Sequence, residues 1–318
     1  MLFLNQKNMD TIKAAANKSD IKAELKKIRL LKVSPLGNHE IYIFNHNESP
    51  LLMEEVGKLR EITFRHAGGG TGMAIDIDEF DTCEKPFTQL IIWNPATEEI
   101  MGGYRYIIGN DIPIKDGQII TPTGELFKSS PKFSTEYVPK MLELGRSFVI
   151  PDYQASGEIR KGIYVLENLW VGLGSLAAEF VSIYYYFGKF TMYTNYNIYA
   201  RDLLLNFLYR YFPDNEKLCI PFKQIEIQHT AEELNKPFVW NDYDHDYRTL
   251  ANLVKEHGET IPPLVNSYMN LSKTMKVFGT SINDHFGGVE ETGILINIDE
   301  IVESKSKRYG IYNRHHNL

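Results

Sequence analysis

A mixed α/β fold is predicted by three features of the sequence. Two β-rich runs, 88–93 and 100–108, flank the turn sequence Asn94-Pro95-Ala96-Thr97 and read as an antiparallel hairpin. A further strand over 141–150 runs through a loop into a long apolar helix, and a strand over 189–193 precedes a helix over 198–211. Strand, loop, helix, strand, helix is the unit of a sheet covered by helices. With 318 residues, 43% of them hydrophobic and 12% aromatic, the chain has ample core material for one large domain or two ordinary ones.

The elements follow in order. Residues 9–29, rich in Ala, Lys and Glu, predict an exposed helix or helix pair ahead of the main domain. A strand over 40–45 is followed by an amphipathic helix over 51–66, with Leu52, Val56, Leu59, Ile62 and Thr63 at helical spacing. Gly68-Gly69-Gly70-Thr71-Gly72 must be a loop, and with the acidic run 76–81 it reads as a mobile polar crossing. After the hairpin a polar loop reaches to about residue 140. In the long helix Leu166, Leu169, Trp170, Leu173, Leu176, Ala177, Phe180, Val181 and Tyr184 make a stripe wide enough to cover a sheet. The last third holds a polar helix near 247–257, a segment 261–278 opened by Pro262-Pro263, and a strand over 292–298. The expected division is a helical extension over 1–38, a core over 39–212 and a C-terminal part over 213–318 that packs on it.

Charge and composition exclude several classes. With 34 Lys+Arg against 41 Asp+Glu the formal charge is −7, and no basic stripe points to nucleic acid. Two cysteines, Cys83 and Cys219, make neither a disulfide framework nor a Cys-based zinc site, so a reducing, cytoplasmic setting is expected. The N-terminus lacks the pattern of a signal peptide, and the apolar region 163–190 is interrupted by Glu167, Asn168 and Glu179. Asp242-x-Asp244-x-Asp246 fails as a calcium loop because Tyr247 and Leu253 stand where Gly and Glu are needed. The histidines show no metal-ligand spacing beyond the tail pair His315-His316, so no metal is expected.

Two segments point to chemistry. The loop 154–162, with Gly157, Arg160, Lys161 and Gly162, enters the long helix; it suits a phosphate cradle at the helix start or an ordinary connection. Glu143-Leu144-Gly145-Arg146 places a carboxylate and a guanidinium three apart on a strand, where they face opposite sides unless a bulge at the glycine brings them together.

Taken in order, the run from Leu59 to Arg65, Asp78-Glu79-Phe80-Asp81, Gly102-Gly103-Tyr104-Arg105, the run from Glu143 to Val149 and Leu169-Trp170-x-Gly172-Leu173 resemble the bacterial N-acyl amino acid synthases. These are the ornithine-lipid and glycine-lipid N-acyltransferases often labelled hemolysin-like, within the Gcn5-related N-acetyltransferase superfamily. The likeness continues through the runs 261–268 and 290–296, and the triple glycine before the acidic run is closest to the glycine-lipid branch. The series is also similar to the acyl-homoserine lactone synthases.

The resemblance implies a mostly antiparallel sheet flanked by helices and transfer of a 3-hydroxy fatty acyl group from a thioester to an amino acid, glycine first and ornithine next. It implies catalytic positions at Glu143, Arg146, Asp81 and Arg105, with Glu143 the general base, and substrate-binding positions at Arg60, Asp78, Phe80 and Trp170. Ser147, Phe148, Val149, Gly157, Arg160 and Gly162 would hold the donor, whose phosphopantetheine thioester belongs to acyl carrier protein or coenzyme A, with no bound cofactor. Implied partners are acyl carrier protein, the amino acid and a peripheral membrane surface; Arg160, Lys161, Lys189 and Arg201 are candidates for a local basic patch toward the acidic carrier. Leu264, Val265, Tyr268, Met269, Leu271, Met275 and Phe278 could wall an acyl tunnel or be ordinary core. The alternatives are an acyl-homoserine lactone synthase and a non-catalytic, hemolysin-like lipid binder.

Overall fold

The computed structural model describes residues 9–154 and 159–315, and the side chains of these except 159–163, 313 and 315. Eight strands make one sheet: β1 (Arg29–Val33), β2 (Glu40–Phe44), β3 (Thr88–Asn94), β4 (Glu99–Ile108), β5 (Met141–Val149), β6 (Tyr185–Met192), β7 (Lys276–Asn283) and β8 (Val289–Asn297). Their spatial order is β1-β2-β3-β4-β5-β6-β8-β7. Neighbours are antiparallel except β5 and β6, which run parallel from the pair Met141 and Tyr185 to the pair Leu144 and Gly188. A parallel pair needs a crossover, and the helix Ile159–Glu179 supplies it.

The helices used below are α1 (Lys18–Leu25), α2 (Pro50–Ala67), α3 (Ile159–Glu179), α4 (Ile198–Tyr211), α5 (Tyr243–Glu256) and α6 (Pro263–Met269). Helix α2 starts where the Ser49 side chain accepts from Leu52 N and Pro50 sits in the first turn; it stops at Gly68, whose φ of 98° only glycine adopts without cost.

One face of the sheet is apolar. Val165, Leu169, Trp170, Leu173 and Leu176 of α3 lie against Leu90, Ile92, Tyr104, Tyr106, Leu142 and Leu144, as the stripe in the sequence predicts. The opposite face carries two separate apolar clusters. Under α2, Leu52, Met53, Val56 and Phe64 meet Ile91, Trp93 and Phe148. Under the segment between β4 and β5, Phe127, Phe133 and Val138 meet Ile107, Met141 and Phe187. Side chains alternate along a strand, so the residues between the clusters share that face. They are polar: Gln89 on β3, Arg105 on β4, Glu143 on β5, Lys189 and Thr191 on β6, Glu291 on β8.

Several elements differ from expectation. The helix over 9–29 shrinks to α1, and β1 follows as an edge strand whose Leu30 and Val33 stay exposed, which is why its pattern is weak. The segment 109–140, expected as a polar loop, instead buries Ile112, Ile119, Phe127 and Phe133 in its cluster. Within 261–278 the chain forms α6 and then enters β7, paired with β8. Helix α3 ends at Glu179, and Phe180, Val181 and Tyr184, expected to continue its stripe, lie in the connection to β6.

Candidate active site

The geometry starts in β5. Gly103 and Arg105 of β4 pair with Phe148 and Gly145, so β5 holds one residue more than its partner across this interval. This is a β-bulge, and its strained residue is Arg146, with φ of +50°, rather than Gly145. The bulge turns Arg146 to the face that Glu143 and Arg105 share. Beyond Leu144 and Gly188, β5 no longer pairs with β6. The last contact is tight: a Cβ on Gly188 would stand 2.6 Å from the Leu144 carbonyl oxygen, so only glycine closes it.

A cavity of about 490 Å³ occupies the opening. Its apolar lining includes Val149, Tyr153, Leu166 and Leu264 against the main core, and Phe64, Phe148, Tyr193 and Phe286 against the α2 cluster. Among the described residues its charged lining is Arg146, Lys189 and Glu291.

Beside the cavity lies an arginine–aspartate network. Arg60 Nη2 is 2.6 Å from Asp81 Oδ2, and its Nε is 3.1 Å from Asp76 Oδ2. Arg105 grips Asp78 with two bonds of 2.7 Å and reaches Asp81 at 3.0 Å. Arg146 Nε lies 2.9 Å from Asp76 Oδ2 and its guanidinium 4.5 Å above the Phe286 ring. Gln89 donates to Asp81 and accepts from Arg60. Three arginines thus meet three aspartates, and the planar forks hold the 76–81 segment on the sheet. Burial would lift the Asp78 and Asp81 carboxyls, but Arg105, joined at Asp81 by Arg60, outweighs it and holds both well below the usual carboxylate range. Arg60 and Asp81 are fully buried.

Glu143 is 1% exposed and does not line the cavity; its Oε1 accepts from Thr123 N at 3.2 Å and its Oε2 has no protein partner. Burial pushes this carboxyl above its ordinary value.

The remaining expected positions divide. Ser147, Phe148 and Val149 line the cavity with Arg146. Gly157 lies outside the described residues, and of Arg160 and Gly162 only the backbone, in the first turns of α3, is described. Trp170 is in the main core, 1% exposed, its Nε1 donating to Ser267 Oγ at 2.8 Å, and Phe80 packs edge-on to Phe87; neither lines the cavity. Of the candidate acyl wall only Leu264 does so. Arg201 is tied to Asp202 and Glu290, and Lys189 to Glu291, so neither contributes to a surface basic patch. The glycine loop is no loose crossing: Glu61 accepts from Thr71 N at 3.0 Å and Gly72 N at 2.8 Å. Asp242 and Asp246 are used locally, capping α5 and accepting from Val239 and Trp240 N–H.

Sequence reasoning did not single out Lys189 and Glu291 as partners. The available signal was a lone Lys within the largely apolar run Tyr185–Met192; Glu291 stands opposite Thr191, two pairs along the ladder from the Lys189–Gly293 pair.

Two curated proteins align along nearly the whole chain. One, from Bacteroides thetaiotaomicron, is named glycine N(alpha)-acyltransferase and is 47% identical over 302 residues, 95% of this chain and 90% of its own length. Another of the same name, from Phocaeicola vulgatus, is 46% identical over 95% of this chain and 93% of its own. The chain belongs to the glycine N(alpha)-acyltransferase family. Residues 59–161, from α2 into α3, match the acetyltransferase (GNAT) domain model, and the protein is an N-acyltransferase. Among solved structures, a CoA-dependent acyl-homoserine lactone synthase with MTA aligns over 88% of this chain and 89% of its own, at 10% identity and a TM-score of 0.36. No helix among the described residues is long and apolar enough to cross a membrane.

Proposed function

We propose that the protein transfers a fatty acyl group from the phosphopantetheine thioester of acyl carrier protein to the α-amine of glycine, with a 3-hydroxyacyl chain as donor and ornithine as the next acceptor. The observation that carries this reading is the bulge at Arg146 beside a cavity with one apolar and one charged wall. The names of the relatives support glycine.

In the reaction the substrate ammonium gives one proton to a base, the neutral amine nitrogen bonds the acyl carbon, the carbon–sulfur bond breaks, and the nitrogen's second proton goes to the departing thiolate, which leaves as thiol. Arg146 and Ser147 stand between the paired residues of the bulge, and in this reading their N–H groups donate to the thioester oxygen as charge develops on it. Val149 and the start of α3 would hold the donor's arm and phosphate. Glu143 receives the proton through a water: its Oε2 is free of protein partners, and its raised pKa moves it toward the operating range of a base. Arg60, Arg105, Asp78 and Asp81 act at one remove, fixing the segment that walls the site. Purified protein incubated with 3-hydroxyacyl carrier protein and a panel of amino acids should release thiol and yield N-acylglycine. Thiol release only with homoserine or S-adenosylmethionine derivatives would reject the acceptor.

A further inference from the structure

The cavity's charged wall holds one ion pair that the motifs do not include. Lys189 Nζ lies 2.8 Å from Glu291 Oε2, with side chains 8% and 4% exposed. Glu291 also accepts from Asn283 Nδ2 at 2.9 Å and from Thr191 Oγ1 at 3.2 Å. Thr191 and Glu291 stand opposite each other in the β6–β8 ladder, on the face of the arginine network. Arg146, the third charged residue of the lining, is already held by Asp76 and Asp78.

A buried ion pair is weak as a stabilising device, because desolvating two charges cancels most of their attraction. Lining a cavity, however, it presents opposite charges side by side, the pattern of an α-amino acid whose ammonium and carboxylate flank a single carbon. We infer that Lys189 and Glu291 form the acceptor subsite, Lys189 taking the carboxylate and Glu291 the ammonium of a small zwitterion. The inference rests on the N-acyltransferase reading above and names where its acceptor sits. Binding exchanges one ion pair for two, so neither protein charge is left unpaired. An amine without a carboxylate would strand Lys189, which is how such a site rejects it. Burial opposes ionisation of Glu291, yet Lys189 and its hydrogen bonds outweigh this and keep the carboxyl below its ordinary value, charged and ready for a cation. The nitrogen held at Glu291 on β8 then faces the β5 bulge across the opening and attacks the thioester carbonyl from that side once it has given up a proton.

The test compares wild type, Lys189→Met and Glu291→Gln with a saturating acyl thioester and either glycine or glycinamide, which keeps the amine and lacks the carboxylate. Wild type should prefer glycine. Lys189→Met should raise the KM for glycine at least about 30-fold, leave the KM for the thioester unchanged and erase the preference over glycinamide. Glu291→Gln should weaken both amines while keeping the preference. A Lys189→Met enzyme with wild-type glycine KM and undiminished preference overturns the assignment. Should the single variants fail to fold, the paired Lys189→Met, Glu291→Leu protein leaves no charge unmatched. Glycine should raise the melting temperature of wild type and not of this double variant, and an equal rise in both would overturn it. Wild type that releases no thiol with any amine would instead remove the proposed function, whatever the variants do.

Discussion

The network of Arg60, Arg105, Asp76 and Asp81 and the pair of Lys189 and Glu291 occupy the same face of the same sheet, in the strip between two apolar clusters. In the first, every guanidinium meets carboxylates from a neighbouring loop, and the side chains of Arg60, Asp76 and Asp81 have no exposure. In the second, the charges meet each other and border the cavity. A charged group serves binding when it borders a cavity and its ionic partner can be exchanged for a ligand, and it serves architecture when it is sealed away among fixed charges. Arg146 stands between, lining the cavity while its guanidinium holds Asp76.

The contrast can be broken by mutation. Glu143→Gln, nearly isosteric, should cut acyl transfer by about 100- to 10,000-fold while the protein still melts cooperatively; near-normal turnover would take the proton-acceptor role from it. Arg105→Ala should cost about 3 kcal/mol of stability, read in denaturant, since it takes from Asp78 its two-bonded partner and from buried Asp81 one of its two arginines. The paired Lys189→Met, Glu291→Leu change should instead leave the denaturation midpoint close to wild type; a loss as large as that of Arg105→Ala would make the two clusters alike.

Acid separates them more finely. Asp78 and Asp81 titrate below their ordinary 3.8, so the stability they contribute is complete above that value and is lost as pH falls through the folded-state values. An Asp81→Asn protein should therefore lose less stability on acidification below about pH 4 than wild type does. Glu143 has the opposite sign: its raised pKa costs stability as pH rises through the folded-state value, a slope that Glu143→Gln should abolish. The smallest effect is expected at the exposed pair of Lys22 and Glu98, where Lys22→Ala should change neither melting temperature nor rate.

Much of this was legible in residue patterns. The α3 stripe, the hairpin of β3 and β4 and the strand β5 follow from periodicity and turn chemistry. The motif residues Arg60, Asp78, Asp81, Arg105 and Arg146 converge in space, and the bulge that the Glu143 to Arg146 spacing required is present. Strands β1 and β7 were less legible: an edge strand exposes its side chains, and a strand after a short helix looks like more of the same apolar run. Trp170 shows the limit of motif reading, since an aromatic on an amphipathic helix reads alike whether it faces a substrate or a core.

Local sequence determined which segments are helix or strand and which faces are apolar, because periodicity and capping act within a few residues. Tertiary structure decided which charges are sealed away and which border the cavity. That depends on where β5 and β6 part and on what the loop 76–81 and strand β8 bring across the gap, contacts between residues 70 positions apart in the chain for Arg146 with Asp76 and 102 for Lys189 with Glu291. A lysine within an apolar strand carries no mark of its partner until the sheet is assembled.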